Sequence, residues 1–370
     1  MARGVSIDAD NSLAGDLAAA ADVVVSERMG HPARFELQLP APVKRQDIPA
    51  LTDGRLDPGK PLSIFVEDGA GGIDCLVSGP VDGHAIRLVH GSGNSRLTVL
   101  GGDASVAMDL EMKVRQWTGP DGPAVMAICG EYAVPCLPAG PVMARMSMQH
   151  PLVQRATDLA FLRRLAQRNG CQFWIRPMAA RVGPVVNQGF FQPITFSDGN
   201  LPVLRMNAKA GGEKNTIDSL DIEFATDGPT AVKAGGVEIS GVSDFTADTD
   251  LSGMDPLGRT PVDRIGPTPR TTRLTVAGDG ASDLEPRGSA VLAEAQFFIS
   301  ATTATTAKRL GRIVHAHDTV KVEGAGSRHS GRYYVAGVTH RINTAAHTMD
   351  LHLIRNAWDE EPGGLMGALP

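Results

Sequence analysis

The sequence predicts a mainly β protein with an α/β insert, and three observations predict it. First, Gly331 to Asn356, GRYYVAGVTHRINTAAHTMDLHLIRN, holds two strand-like runs around a polar turn from Arg341 to Thr348. Second, the first hundred residues are short alternating runs cut by turn dipeptides such as Asp53-Gly54 and Pro58-Gly59. Third, Thr157 to Gly170 has the period and end signals of an amphipathic helix between those β regions. With 42 glycines and 25 prolines but only 5% aromatic residues, many turns must join short elements.

The early strands are Ala21 to Ser26, Ala33 to Leu39, Pro61 to Glu67, Asp74 to Ser78 and Ser95 to Leu100. Phe35, Leu37 and Leu39 alternate with Glu36 and Gln38, so one face is packed and the other wet. From about Asp109 the period changes. Asp121 is placed to cap a helix through Ala124, Val125, Ile128 and Tyr132. Thr157 caps a clearer one, DLAFLRRLAQRN, with Leu159, Leu162, Leu165 and Ala166 inward and Arg163, Arg164, Gln167 and Arg168 mostly outward. Gly170 ends it in the left-handed conformation, and Cys171 to Ile175 follows as a strand. A second β region, Asn187 to Ser243, contains strands Ser219 to Phe224 and Ala231 to Ser240, with a turn at Ala210 to Asn215. Thr246 to Arg287 reads as loop except for Thr271 to Val276. A helix is expected from about Ser289, with Val291, Leu292, Ala295, Phe298 and Ile299 on its apolar side. The run SATTATTA, Ser300 to Ala307, weakens it. Thr319 to Glu323 precedes a polar turn, Gly324 to Ser330, so three antiparallel strands close the chain as a small barrel or half-sandwich; Gly363 to Pro370 frays.

At 370 residues the chain has length for two or three domains, each able to bury a core. A net charge of −6 opposes general affinity for a polyphosphate backbone. Cys75, Cys129, Cys136 and Cys171 show no CxxC and no zinc-knuckle spacing, so they read as buried free thiols. The N-terminus carries Asp8 and Asp10 and no basic-then-apolar signal, and no 18-residue apolar run suggests a membrane span.

Catalytic patterns are weak. His315 and His317 in IVHAHD would share one face at a strand end and chelate a metal if His329, His340, His347 or His352 joined them; surface or turn histidines are the plainer reading. There is no GxSxG, no GxGxxG and no GxxxxGKS. Asp221 with Glu223 on one strand face imitates a glycosidase couple but reads as a solvated edge, and Asp248, Asp250 and Asp255 lack the calcium-loop pattern. No catalytic, cofactor or metal residues are assigned, and the protein is not read as an enzyme.

Two strings carry a resemblance. TDLAFLRRLAQRNGCQFWI, Thr157 to Ile175, resembles the FLrrLA segment of phage late control gene D proteins, the baseplate hub family of contractile tails that also forms the hub part of VgrG proteins. HSGRYYVAGVTHRI followed by LHLIRNAW is similar to that family's closing pattern, with Ser330, Gly331, Tyr333, Val335, Val338 and His340 in place and Arg355 and Asn356 after the last strand. Asp158, Phe161, Leu162, Leu165 and Gly170 are the matching structural positions in the first string. ARFELQL and PGKPLSIFVEDG stand in the order of the family's first tube-forming domain. The chain departs from the family between Phe245 and Arg287, where SGMDP has no tryptophan.

The resemblance implies two related tube-forming, β-barrel-like domains plus smaller helix-containing domains. The expected division is 1–105, first tube-forming β domain; 106–185, α/β insert with helix 158–169; 186–245, second β region; and 246–287, linker or interaction arm. Residues 288–358 then supply a helix and hairpin completing the second tube-forming domain, and 359–370 a flexible tail. It further implies a homotrimer with pseudo-sixfold symmetry, joining a hexameric tail tube to a trimeric spike among other baseplate proteins. Such a hub is made in the bacterial cytoplasm and assembled in the tail of a virion or phage-like particle. The spike, fused in full VgrG proteins, is expected as a separate polypeptide. DNA or an effector would pass through the lumen without specific binding, which negative charge favours if acids line it. The alternative is a hydrolytic, peptidoglycan-degrading tail component using a metal or acid site.

Overall fold

The computed structural model describes residues 4–359 apart from 43–47, 70, 91–93, 140–151, 179–184, 209–211, 239–242, 250–253, 266–269 and 278–283. The expected turn residues Ala210 and Gly211, the end of the Ala231 to Ser240 strand, Asp250 and the terminal 360–370 lie outside the described residues. The fold is mainly β, built on one long sheet with smaller sheets attached, and among the described residues the strand pairing of that sheet does not close into a barrel.

Two antiparallel meanders organise the long sheet. In the first, Pro61–Glu67, Ile73–Arg87 and Arg96–Gly102 follow one another; the last pairs with Arg34–Pro40, which pairs with Asp22–Arg28. In the second, Thr319–Glu323, Gly331–Ile342 and His347–Arg355 follow one another; the last pairs with Ile299–Thr306, which pairs with Asp221–Phe224. Each middle strand is long and bulged, at Val81/Gly83 and at Val335/Gly337, so its two ends serve different neighbours. The outer flank differs: Val5–Ala9 lies antiparallel to Pro61–Glu67, whereas Val203–Arg205 lies parallel to Thr319–Glu323. The halves join where Gly337–Ile342 pairs antiparallel with Val23–Arg28.

Alternation explains the burial. Val23 and Val25, Phe35, Leu37 and Leu39, then Leu62, Ile64 and Val66 all point into one apolar core, which continues through Val320, Val322, Val335, Val338, Leu351 and Leu353. A second core lies under helices Asp121–Glu131 and Asp158–Arg168. It packs Val125, Ile128, Leu159, Phe161, Leu162 and Leu165 against Phe173 and Ile175 of strand Cys171–Met178 and Phe191 of Val186–Pro193. Met112–Trp117 pairs with Leu152–Thr157 beside it. Thr157 does cap its helix, its hydroxyl accepting from Ala160 N–H at 3.3 Å, and Gly170 has φ +65°.

Four expectations need correction. Asp121 is the buried first residue of its helix and Pro120 occupies the cap. The helix expected near Ser289 runs Leu284–Ala295, and Phe298 and Ile299 lie beyond it. Ile299–Thr306, the threonine run, is a strand with alternating burial, because β-branched side chains stiff at χ1 suit a pleated surface between two partners. The loop expected from Thr246 begins inside a strand, Ser243–Thr249, which runs antiparallel to Ala231–Glu238; the strand expected at Thr271 to Val276 is present as Thr271–Ala277, parallel to Ala231–Glu238 on its other side.

Candidate assembly edges and a buried polar junction

Two strand segments at corresponding places of the two meanders have a neighbour on one side only among the described residues. Gly83–Arg87 pairs only with Arg96–Leu100, and Asp221–Phe224 only with Ile299–Thr302. Both expose apolar side chains, Ile86 and Phe224, and their charges are opposite, Arg87 on one and Asp221 with Glu223 on the other. The topology makes these edges counterparts of the internal junction. Asp221–Phe224 occupies the place in its half that Asp22–Arg28 occupies in the first; Gly83–Arg87 occupies the place of Gly337–Ile342. The strand directions are those that would let the two free edges pair antiparallel between copies.

Most positions matched by the family pattern lie at two packing centres. Asp158 is buried and accepts from Lys113 Nζ at 2.5 Å, Tyr132 Oη at 2.7 Å and Gln154 Nε2 at 2.6 Å. Burial would raise its carboxyl, but those bonds and the Lys113 charge hold it below the usual range. Phe161, Leu162 and Leu165 are core. At the other centre, Arg355 is fully buried, donates to the carbonyls of Ser330 and Leu257, and pairs with Asp359 at 2.9 Å. Asn356 accepts from Leu257 N–H and donates to the Asp255 carbonyl, which ties the distant loop at Asp255 to Leu257 to the end of the last long strand. Gly331 has φ +133°, and a Cβ there would stand 2.6 Å from Arg355 Nη2. Tyr333 lies under the same guanidinium, 5.3 Å from ring centroid to Arg355 Cζ, while Val335 is in the main core.

His340, the remaining pattern residue, belongs to a third place. The loop carrying His315 and His317 is a turn, not a strand end: His317 has φ +70°, which breaks the two-residue alternation and sends the rings apart. Neither is a surface histidine. His317 stacks on Trp174 with centroids 3.9 Å apart and takes the Tyr334 hydroxyl at 2.7 Å; burial and the Arg176 charge pull it down to about 3. His315 lies between two carboxylates, Nδ1 2.9 Å from Glu27 Oε1 and Nε2 2.9 Å from Asp74 Oδ2. Burial opposes its charge, but the Glu27 charge and the two bonds push it up to about 10. Glu27 is correspondingly held far below its usual range: burial would raise it, and His315 and His340 outweigh that. Its Oε2 accepts Ala316 N–H at 3.0 Å. His340 Nε2 is 3.5 Å from Glu27 Oε1 and its Nδ1 is 3.0 Å from His347 Nε2. Arg176 adds a bond to the Ala316 carbonyl at 2.6 Å, so the insert grips the same loop.

Glu27 and Asp74 escaped the sequence reading because their partner is 288 and 241 residues away. One signal was available for Glu27. In DVVVSER it shares the inward face with Val23 and Val25, where a carboxylate demands a partner. Asp221 and Glu223 are exposed on an edge, as read.

Comparison with known structures places the fold. It is the fold of phage tail proteins and of a related secretion-system component. The chain is similar to the 43 kDa tail protein of prophage MuSo2 from Shewanella oneidensis, at TM-score 0.63 and 12% identity over 95% of this chain and 98% of that one. It is similar to a tail protein from Neisseria meningitidis, at TM-score 0.62 and 13% identity over 96% and 97%. An Escherichia coli component of the type VI secretion system, itself described as structurally similar to T4 tail proteins, aligns at TM-score 0.55 and 11% identity over 93% and 76%. No family model and no curated protein matches the sequence. Among the described residues no helix is long and apolar enough to cross a membrane.

Proposed function

We propose that this chain is the structural hub of a contractile tail or phage-like injection particle. It assembles as a homotrimer whose two β units per chain form a pseudo-sixfold ring between a hexameric tail tube and a trimeric spike. The observation that carries the reading is the relation between the internal junction and the free edges. One unit already joins the next inside the chain, through Val23–Arg28 against Gly337–Ile342, and the chain offers one more edge of each kind. A head-to-tail contact between Asp221–Phe224 of one copy and Gly83–Arg87 of the next repeats that step, and closure after three copies covers both of these edges in every copy. The full similarity in length to two phage tail proteins supports the same reading. The gene D type of hub, the spike and tube partners, and assembly in the tail baseplate rest on the sequence resemblance together with this topology.

The test is the mass of the purified chain in solution by light scattering. Three times the 38.9 kDa chain mass is expected. Ile86→Lys, which places a charge on one edge without touching a core, is expected to give a folded monomer. A wild-type chain that stays monomeric at high concentration and in the presence of its spike overturns the proposal.

A further inference from the structure

We propose that Glu27, His315 and His340 form a site for one divalent cation of the zinc type, set where the two halves of the chain meet. Their ligand atoms lie within 4.8 Å of one another and all three residues are buried. Two imidazoles and one carboxylate are donors that a borderline cation such as Zn(II) accepts in a closed protein site.

The observation that points to a ligand is His340 Nε2. It is a buried ring nitrogen, in a residue with no exposed surface, and it has no hydrogen-bond partner among the described residues. Orphaned buried polar atoms cost stability and are rare. This one faces Glu27 Oε1 at 3.5 Å, close to the separation of roughly 3.3–3.6 Å that two ligands take around a tetrahedral zinc with bonds of about 2.0–2.2 Å.

The surroundings fix which ring atoms face the centre. Asp74 accepts from His315 Nε2 at 2.9 Å, which leaves Nδ1 to face Glu27. His347 Nε2 holds His340 Nδ1 at 3.0 Å, which leaves Nε2 inward. The Ala316 N–H holds Glu27 Oε2 at 3.0 Å. Each first ligand therefore has an outer partner orienting it, the arrangement that metal-binding histidines use. A small cleft of about 20 Å³, lined by Glu27, His315, Trp174 and Arg176 among others, reaches the cluster and is large enough for a single water or ion. Binding replaces one contact: the proton that bridges His315 Nδ1 and Glu27 Oε1 at 2.9 Å leaves to solvent, and the two atoms open by roughly half an ångström to admit the cation. Glu27 comes from the first half of the chain and both histidines from the second, so the cation would clamp the internal junction.

The test uses the full chain stripped with a chelator and titrated with Zn(II) against a chromophoric competitor, and separately with Co(II). One ion per chain is expected, with the intense visible bands of low-coordinate Co(II). His340→Gln keeps the Glu27–His315 pair and is expected to abolish the bands; His347→Ala, which removes no ligand but frees the ring that it orients, is expected to weaken binding roughly 10–100-fold. His352→Gln, exposed on the opposite face of the hairpin, should titrate as wild type. If His340→Gln fails to fold by circular dichroism, the wild-type Co(II) spectrum decides. Binding absent at roughly micromolar metal, an octahedral spectrum, or unchanged affinity in a folded His340→Gln overturns the site. None of these residues lies on a free edge, so such a result leaves the assembly reading untouched.

Discussion

Asp158 is a buried carboxylate at the first turn of its helix, and its three donors come from three separate segments. Its lowered pKa sets a sign. The folded carboxyl releases its proton more readily than the unfolded one, so its contribution is complete above the unfolded value near 4 and disappears as pH falls through the folded value. Asp158→Asn is therefore expected to lower stability at neutral pH and to flatten its decline in acid. Urea midpoints for both proteins between about pH 7 and pH 3 check this, and parallel curves would refute it. Gly331→Ala forces a side chain into a left-handed φ and against the Arg355 guanidinium, and a loss of about 1–3 kcal/mol is expected in equilibrium unfolding. Both positions were visible in the sequence as pattern residues, but what they do was not. The partners of Asp158 and the burial of Arg355 depend on contacts between distant segments, which no local period encodes.

At the scale of elements, legibility followed the strength of the local signal. Helix Asp158–Arg168 has a cap, an apolar stripe and a terminal glycine, and it lies where the sequence put it. Leu162 is fully buried beneath it, so Leu162→Ala is expected to cost about 2–5 kcal/mol; an unchanged melting temperature would show that the helix does not pack as described. The threonine run misled because Phe298 and Ile299 extend a helical spacing that Ala295 in fact ends. Rotamer stiffness, counted only as a weakness in a helix, was the positive signal for a strand. The parallel pairing of Val203–Arg205 with Thr319–Glu323 was unreadable for another reason: both segments are short and more than a hundred residues apart.

For the whole molecule, the sequence revealed many β elements but not that one sheet runs through both halves. Hydrogen exchange can follow this directly. Amides in Val23–Arg28 and Gly337–Ile342 are expected to be protected in the isolated chain, whereas those of Gly83–Arg87 and Asp221–Phe224 gain protection only on assembly. Equal protection of all four in a monomer would contradict the edge assignment. The bulges at Val81/Gly83 and Val335/Gly337 also have a consequence for evolution of the particle. Because side chains alternate, deleting the extra residue at either bulge would exchange inside for outside along the rest of that strand. A drifting lineage can thus vary nearly every outward residue of these strands, yet single-residue insertions or deletions there would be purged at once, and homologues should differ by substitution while keeping that spacing constant.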